Sequence, residues 1–250
     1  MPRWRPTWMI VVALFAVMMT VALVRGAQAR ADGALMRADP ERILNMPALA
    51  RSALAQGHDG FVQHCASCHG AGGPNQARGV PDLTDGDFLY GTGQVAEIEQ
   101  IVLHGIRSGD PRGWQLAAMP AYAHAKPYGA EPIPPMTPAQ IGDMIQFLRA
   151  KHGVATDQAA AARGGKVYAG SGGCYDCHGN DAAGNEAIGA PNLLDDVWLY
   201  GGSAATLDRT FREGRAGVSP AYARVLTPVE ARAIAVYVAH LARHDRQPAP

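Results

Sequence analysis

Cys65-Ala66-Ser67-Cys68-His69 recurs as Cys174-Tyr175-Asp176-Cys177-His178, and nothing else in the chain constrains its fold as strongly. C-x-x-C-H is the attachment signature of a c-type haem. Each Cys adds its sulfur to a haem vinyl group, and the His that follows supplies an axial nitrogen to the iron. Thiols three positions apart lie on one side of a helical turn, with the adjacent imidazole turned beneath the iron. A lone C-x-x-C would equally fit a zinc knuckle or a thioredoxin-like redox pair. Here His follows both pairs, and the chain's 4 Cys are all used in them. The pairs also lie much further apart than the roughly 15–20 residues of a zinc ribbon. Two covalently bound haem c groups are therefore expected, one on Cys65 and Cys68 with His69, the other on Cys174 and Cys177 with His178.

The rest of the composition agrees with small cofactor-filled domains. Aromatic residues make up 7% of the 250 residues, and Gly is abundant at 29. The formal net charge is zero and no basic patch stands out, which argues against a nucleic-acid partner. Haem attachment to C-x-x-C-H takes place outside the cytoplasm, so the chain is expected to be exported. Its first segment, residues 1–30, supplies the means: Arg3 and Arg5, a continuous apolar run from Trp8 to Val24, then Arg25. That run is slightly short for a hydrocarbon core of about 30 Å and slightly long for a signal-peptide core. Ala27-Gln28-Ala29 has the A-x-A pattern of a cleavage site, whereas Trp4 and Trp8 suit a membrane interface. A retained anchor is preferred to a cleaved signal, and both deliver the remainder to the far side of the membrane.

Residues 31–50 read as a polar tether with Pro40 and Pro47. Two similar halves follow, 51–154 and 155–244, with a tail at 245–250. In the first half a helix leads through Gly57 and Phe61 into Cys65. Val80-Pro81-Asp82-Leu83-Thr84-Asp85-Gly86-Asp87-Phe88-Leu89-Tyr90-Gly91 comes next, then a helix with Val95, Ile98, Ile101 and Val102 on its apolar side. Met119-Pro120-Ala121-Tyr122-Ala123 lies in a loop. Thr137-Pro138-Ala139-Gln140 is a capping box ahead of the stripe Ile141, Met144, Ile145, Leu148. The second half repeats each part. A helix beginning at Thr156 and Asp157 reaches Cys174, and Ala190-Pro191-Asn192-Leu193 to Gly201 mirrors Val80 to Gly91. Ser219-Pro220-Ala221-Tyr222-Ala223 mirrors the Met119 loop, and Thr227 to Glu230 caps the stripe Ala231, Ile234, Ala235, Val238. The expected fold is all-α, with one haem in each half.

On these motifs both halves resemble class I cytochrome c domains. The tandem, with PDLTDGDFLYG and PNLLDDVWLYGG, is similar to the di-haem subunit of cbb-type haem–copper oxidases. The resemblance covers about Arg51 to Leu241. It implies a membrane-tethered electron carrier facing the periplasm, with no catalytic residues of its own. Its redox partners would be a terminal oxidase, a dehydrogenase or a membrane quinol-oxidising complex. It also implies that the carbonyls of Pro81 and Pro191 hold the proximal imidazoles, and that a Met in an M-P-A-[WYF] turn is the sixth ligand. Met119 fits that description and is expected on the first iron. Ser219 stands in the corresponding place of the second half, which has no Met at all. The second iron is accordingly expected to be open, and a haem peroxidase or small-ligand-binding protein is the alternative function.

Other residues have plainer readings. Met136 and Met144 are expected in the core, and His58, His64, His104, His152, His240 and His244 on helix surfaces. Tyr122 and Tyr222 are expected near a haem edge. Asp85, Asp87, Asp195 and Asp196 read as turn formers and helix N-terminal acids.

Overall fold

Only the connection His152–Asp157 separates the helix that closes the first half from the helix that opens the second, and this brevity decides the architecture. The computed structural model describes residues 7–72, 79–124 and 134–244. Its helices are α1 (Thr7–Arg37), α2 (Pro47–His64), α3 (Ala66–His69), α4 (Val95–His104), α5 (Pro138–Lys151), α6 (Gln158–Tyr168), α7 (Tyr175–His178), α8 (Ala204–Glu213) and α9 (Pro228–His244). A 3₁₀ turn covers Pro40–Asn45, and there is no β-strand among the described residues. The expected all-α tandem is what the chain forms. Both capping boxes are present, at Thr137 with Gln140 and at Thr227 with Glu230.

Helices joined by so few residues pack as antiparallel neighbours. The α5–α6 hairpin is locked by Gln146, whose side-chain oxygen accepts the N–H groups of Thr156 at 3.0 Å and Asp157 at 3.3 Å. Asp157 caps α6 by accepting the N–H of Ala160. At the crossing, Gly164 lets the backbones meet, since a Cβ there would fall 2.2 Å from the carbonyl oxygen of Asp143. With α5 committed to α6, helix α2 takes α9 instead. Gly57 makes that crossing, where a Cβ would fall 2.1 Å from the carbonyl oxygen of Ala233. The closing helices are thus exchanged between the halves, each packing on the helix that leads into the other half's haem motif.

Two cores result. Phe61, Val95 and Ile98 from the first half pack with Leu226 and the α9 stripe. Tyr168, Leu207 and Phe211 from the second half pack with Tyr122, Met136 and the α5 stripe. Ile141, Met144, Ile234 and Ala235 are all buried, as the periodicity predicts. A buried ion pair between Glu99 on α4 and Arg232 on α9 also joins the halves.

The segment 31–50 departs from the polar tether expected of it. Helix α1 runs unbroken through Ala27-Gln28-Ala29 to Arg37, and Leu35 and Ile43 are buried in the first core. Asp39 caps the 3₁₀ turn, and Glu41 accepts the N–H groups of Val95 at 3.0 Å and Ala96 at 2.9 Å. That carboxylate satisfies orphan donors at the start of α4, where the side chain of the N-cap residue Gln94 makes no capping bond. The apolar residues from Trp8 to Val24 are exposed along α1, which is long and apolar enough to cross a membrane. Arg3, Trp4, Arg5 and the tail 245–250 lie outside the described residues.

Candidate haem sites

Each C-x-x-C-H motif sits where a helix ends and one further turn begins. The N–H groups of Cys68 and His69 return to the carbonyl of Cys65 at 3.0 and 2.9 Å. Those of Cys177 and His178 return to the carbonyl of Cys174 at 3.2 and 2.9 Å. This single turn brings both thiols of a pair to one side. None of the four Cys forms a disulfide. Burial and the neighbouring Cys68 push the Cys65 thiol up to about 11, and burial also raises Cys177. A thioredoxin-like pair requires the opposite shift, toward thiolate.

His69 Nδ1 lies 3.4 Å from the carbonyl oxygen of Pro81, and His178 Nδ1 lies 2.9 Å from that of Pro191. A carbonyl can only accept, so Nδ1 carries the proton and Nε2 keeps its lone pair for a metal. Burial lowers the pKa of both rings, against the smaller opposing pull of the Pro carbonyls. Both imidazoles therefore stay neutral, the form that ligates iron.

Opposite these rings the chain crosses over. Met119 and Arg215 exchange both backbone hydrogen bonds at 2.9 Å, and the N–H of Tyr122 donates to Phe211 at 2.7 Å. Ile106 and Ser219 make the same exchange at 3.0 and 2.9 Å, and the N–H of Tyr222 donates to Val102 at 3.1 Å. The Met119 side chain packs against the core that contains Cys174, together with Met136 and Met144. Ser219 stands beside α4 of the first half. Sequence order associates Met119 with the first haem motif, but the exchanged loops carry it to the second. The physical cause is the α5–α6 hairpin, because the Met119 loop leads directly into α5.

One cavity of about 450 Å³ is lined by both motifs, by Pro81 and Pro191, and by Met119 and Ser219. Its walls are mostly apolar, with two arginines that the motif reading did not single out. Arg107, at φ 48°, donates to the Gly217 carbonyl at 2.6 Å, to the Ala117 carbonyl at 2.7 Å and to the Tyr90 hydroxyl at 2.5 Å. One guanidinium thereby ties the Ser219 loop to the Met119 loop. Arg215 lies 4.4 Å over the Tyr200 ring and donates to Thr210, while its buried Nε has no protein partner. In the sequence, Arg215 directly follows Gly214, which ends α8, and Arg107 lies two residues after Gly105, which ends α4.

The remaining expectations divide. Met136 and Met144 are core residues. Asp85 and Asp195 form turns by accepting the N–H groups of Asp87 and Val197. Burial and the nearby Asp195 raise the pKa of Asp87. His104, expected on a surface, is buried at 4% exposure, with Nδ1 3.3 Å from Asp110 Oδ2. His152 is held by the Leu193 carbonyl and the Trp198 ring. Tyr222 donates to the His64 carbonyl at 2.9 Å, and the Tyr122 hydroxyl lies 3.9 Å from Cys174 Sγ. His240 rides on α9 against the first half, and the side chain of His244 lies outside the described residues.

The residues present fit haem c: paired thiols, neutral imidazoles with Nε2 available, an apolar cavity and an orphaned buried guanidinium nitrogen suited to a propionate. The comparisons with known proteins agree. The family described as cytochrome c oxidase, cbb3-type, subunit III matches residues 52–148 and 159–238. A cbb3-type cytochrome c oxidase subunit FixP of Azorhizobium caulinodans is 37% identical over 224 residues, covering 89% of this chain and 71% of the relative. The FixP subunit of Bradyrhizobium sp. (strain ORS 278) is 40% identical over 219 residues, covering 86% and 69%. A CcoP subunit of Azospirillum brasilense is 38% identical over 227 residues, covering 88% and 73%. The two matched segments each contain one attachment motif, and the chain binds two haem c groups covalently. It belongs to the family of cbb3-type cytochrome c oxidase subunit III.

Proposed function

We propose that this chain is the electron-transfer subunit of a cbb3-type oxidase, anchored by α1 in the inner membrane with α2–α9 in the periplasm. The observation that carries the reading is one cavity lined by both C-x-x-C-H motifs, which would hold two irons near one another. Electron transfer asks little covalent chemistry of side chains. The protein holds the irons, tunes their potentials and leaves an edge for docking. The continuous helix through Ala27-Gln28-Ala29 supports a retained anchor, since a peptidase needs extended chain.

In this reading Cys65 and Cys68 hold the first haem with His69 as proximal ligand, and Cys174 and Cys177 hold the second with His178. Met119 is the sixth ligand of the second iron, supported by its clasp to Arg215 and its packing beside Cys174. Met ligation raises the potential, so the electron rests on the second haem when the two are in contact. Arg107 fixes both distal loops, and Arg215 offers its Nε to a propionate.

The experiment is affinity purification of the full chain from detergent-solubilised membranes of a strain competent in cytochrome c maturation. The expected preparation contains the other oxidase subunits, carries two haem masses that survive denaturation, and consumes oxygen with a reduced donor. Replacing Cys68 or Cys177 with Ala is expected to lose one attachment each. Recovery of the chain free of any oxidase subunit would overturn the oxidase assignment.

A further inference from the structure

We propose that the haem on Cys65 and Cys68 has an open sixth position beside Ser219 and takes a small neutral diatomic ligand of the carbon monoxide or nitric oxide class. The inference rests on the crossed arrangement proposed above. Met119 and Ser219 occupy equivalent posts, each clasped by two backbone hydrogen bonds to the residue after a helix-ending glycine. Those glycines fix the posts closely. A Cβ at Gly214 would fall 2.4 Å from the Met119 carbonyl oxygen, and one at Gly105 would fall 2.3 Å from the Ser219 carbonyl oxygen. Neither loop can slide to present a different residue without breaking its clasp. The first post therefore carries a hydroxyl where the second carries a thioether.

Apart from the motif histidines and Met119, the Met and His side chains that line the cavity are Met144 and His64. The first core contains no Met, and both nearby candidates, Met136 and Met144, are packed into the second. His104 is turned to Asp110, and His64 immediately precedes the motif, with its carbonyl held by Tyr222. A neutral hydroxyl is a poor ligand for ferrous iron, but it can donate a hydrogen bond to the far atom of a bound diatomic. Val102, Ile106 and Val218 make the surrounding wall apolar. That wall favours small neutral ligands, which lose little hydration on entry. The half-buried Ser219 beside the exposed Val218 leaves a way in from solvent.

The test is a carbon monoxide titration of the reduced full chain carrying both haems, read by absorption, with electron spin resonance of the oxidised form. The expected stoichiometry is one carbon monoxide per chain, lost in Ser219→Met, which should also gain a second near-red thioether–iron band. A variant with Cys174 and Cys177 replaced by Ala should bind carbon monoxide and lack that band. A variant with Cys65 and Cys68 replaced by Ala should keep the band and bind none. If these last two results are interchanged, the crossed arrangement itself fails. If the band stays with the second haem while the wild-type chain binds no carbon monoxide, the arrangement stands and the open site is overturned. Ser219→Met leaves both attachment motifs intact, so it decides the matter even where a haem-deficient variant does not fold.

Discussion

Met119 and Arg215 come from opposite halves of the chain, yet each donates its backbone N–H to the other's carbonyl at 2.9 Å. This clasp makes the cavity wall at Met119 a joint product of the two halves. Ser219 and Ile106 join the halves at another part of the same wall in the same way.

The clasp is sensitive to a single methyl group. Gly214 has φ 70°, and a Cβ there would meet the Met119 carbonyl oxygen at 2.4 Å. Gly214→Ala is expected to cost about 1–3 kcal/mol in backbone strain and to weaken the near-red thioether band with both haems still attached. Gly105→Ala should strain the first post and leave the band intact. Absorption spectra of the two oxidised variants check this, and equal loss of the band in both would contradict the crossing.

The exchanged helix crossings give a stability test. Gly57→Ala and Gly164→Ala each force a Cβ against a facing backbone, at an expected cost of about 1–3 kcal/mol or more. Gly142 lies within α5 with nothing within 4 Å of its Cβ position, so Gly142→Ala should instead stabilise by about 0.5–1 kcal/mol. Denaturant unfolding of the three variants measures the signs.

Glu99 and Arg232 form a buried pair across the halves, with side-chain exposures of 10% and 13%. Arg232→Met strands the Glu99 carboxylate and is expected to destabilise by about 3–5 kcal/mol. Joint replacement of Glu99 by Gln and Arg232 by Met should recover most of that loss. A double variant no more stable than Arg232→Met would mean that packing, rather than the unpaired charge, sets the cost.

The capping box on α9 predicts an acid effect. The backbone N–H of Thr227, and then its hydroxyl, hold the Glu230 carboxyl below its ordinary range. A depressed acid stabilises the fold above its unfolded pKa, about 4.3, and that contribution disappears as pH falls through the lower folded value. Wild type should therefore exceed Glu230→Gln in stability near neutrality, with the gap closing in acid. Thermal unfolding of both across that range is the measurement, and a gap independent of pH would remove the carboxylate from the explanation.

The attachment sites, the capping boxes and the buried stripes were legible in the sequence because each is set by spacing along one helical turn or by a side chain reaching its own backbone. Cys65 to His69 makes its turn whatever surrounds it. The partner of each closing helix was not legible in the same way. The stripes Ile141, Met144, Ile145, Leu148 and Ala231, Ile234, Ala235, Val238 both meet a glycine-bearing helix, and local pattern cannot distinguish Gly57 from Gly164. The short connection His152–Asp157 carries the information, as it gives α5 to α6 and leaves α9 for α2. Residues 31–50 were misread for a related reason: Leu35, Ile43 and Glu41 find their partners only on the assembled first half. The sequence by itself determined that there are two haems, through the covalent spacing of its two C-x-x-C-H turns. Only the tertiary structure decided that Met119 joins the core of Cys174 and that Ser219 is clasped to the end of α4, because that depends on how two interchangeable halves pack around one cavity.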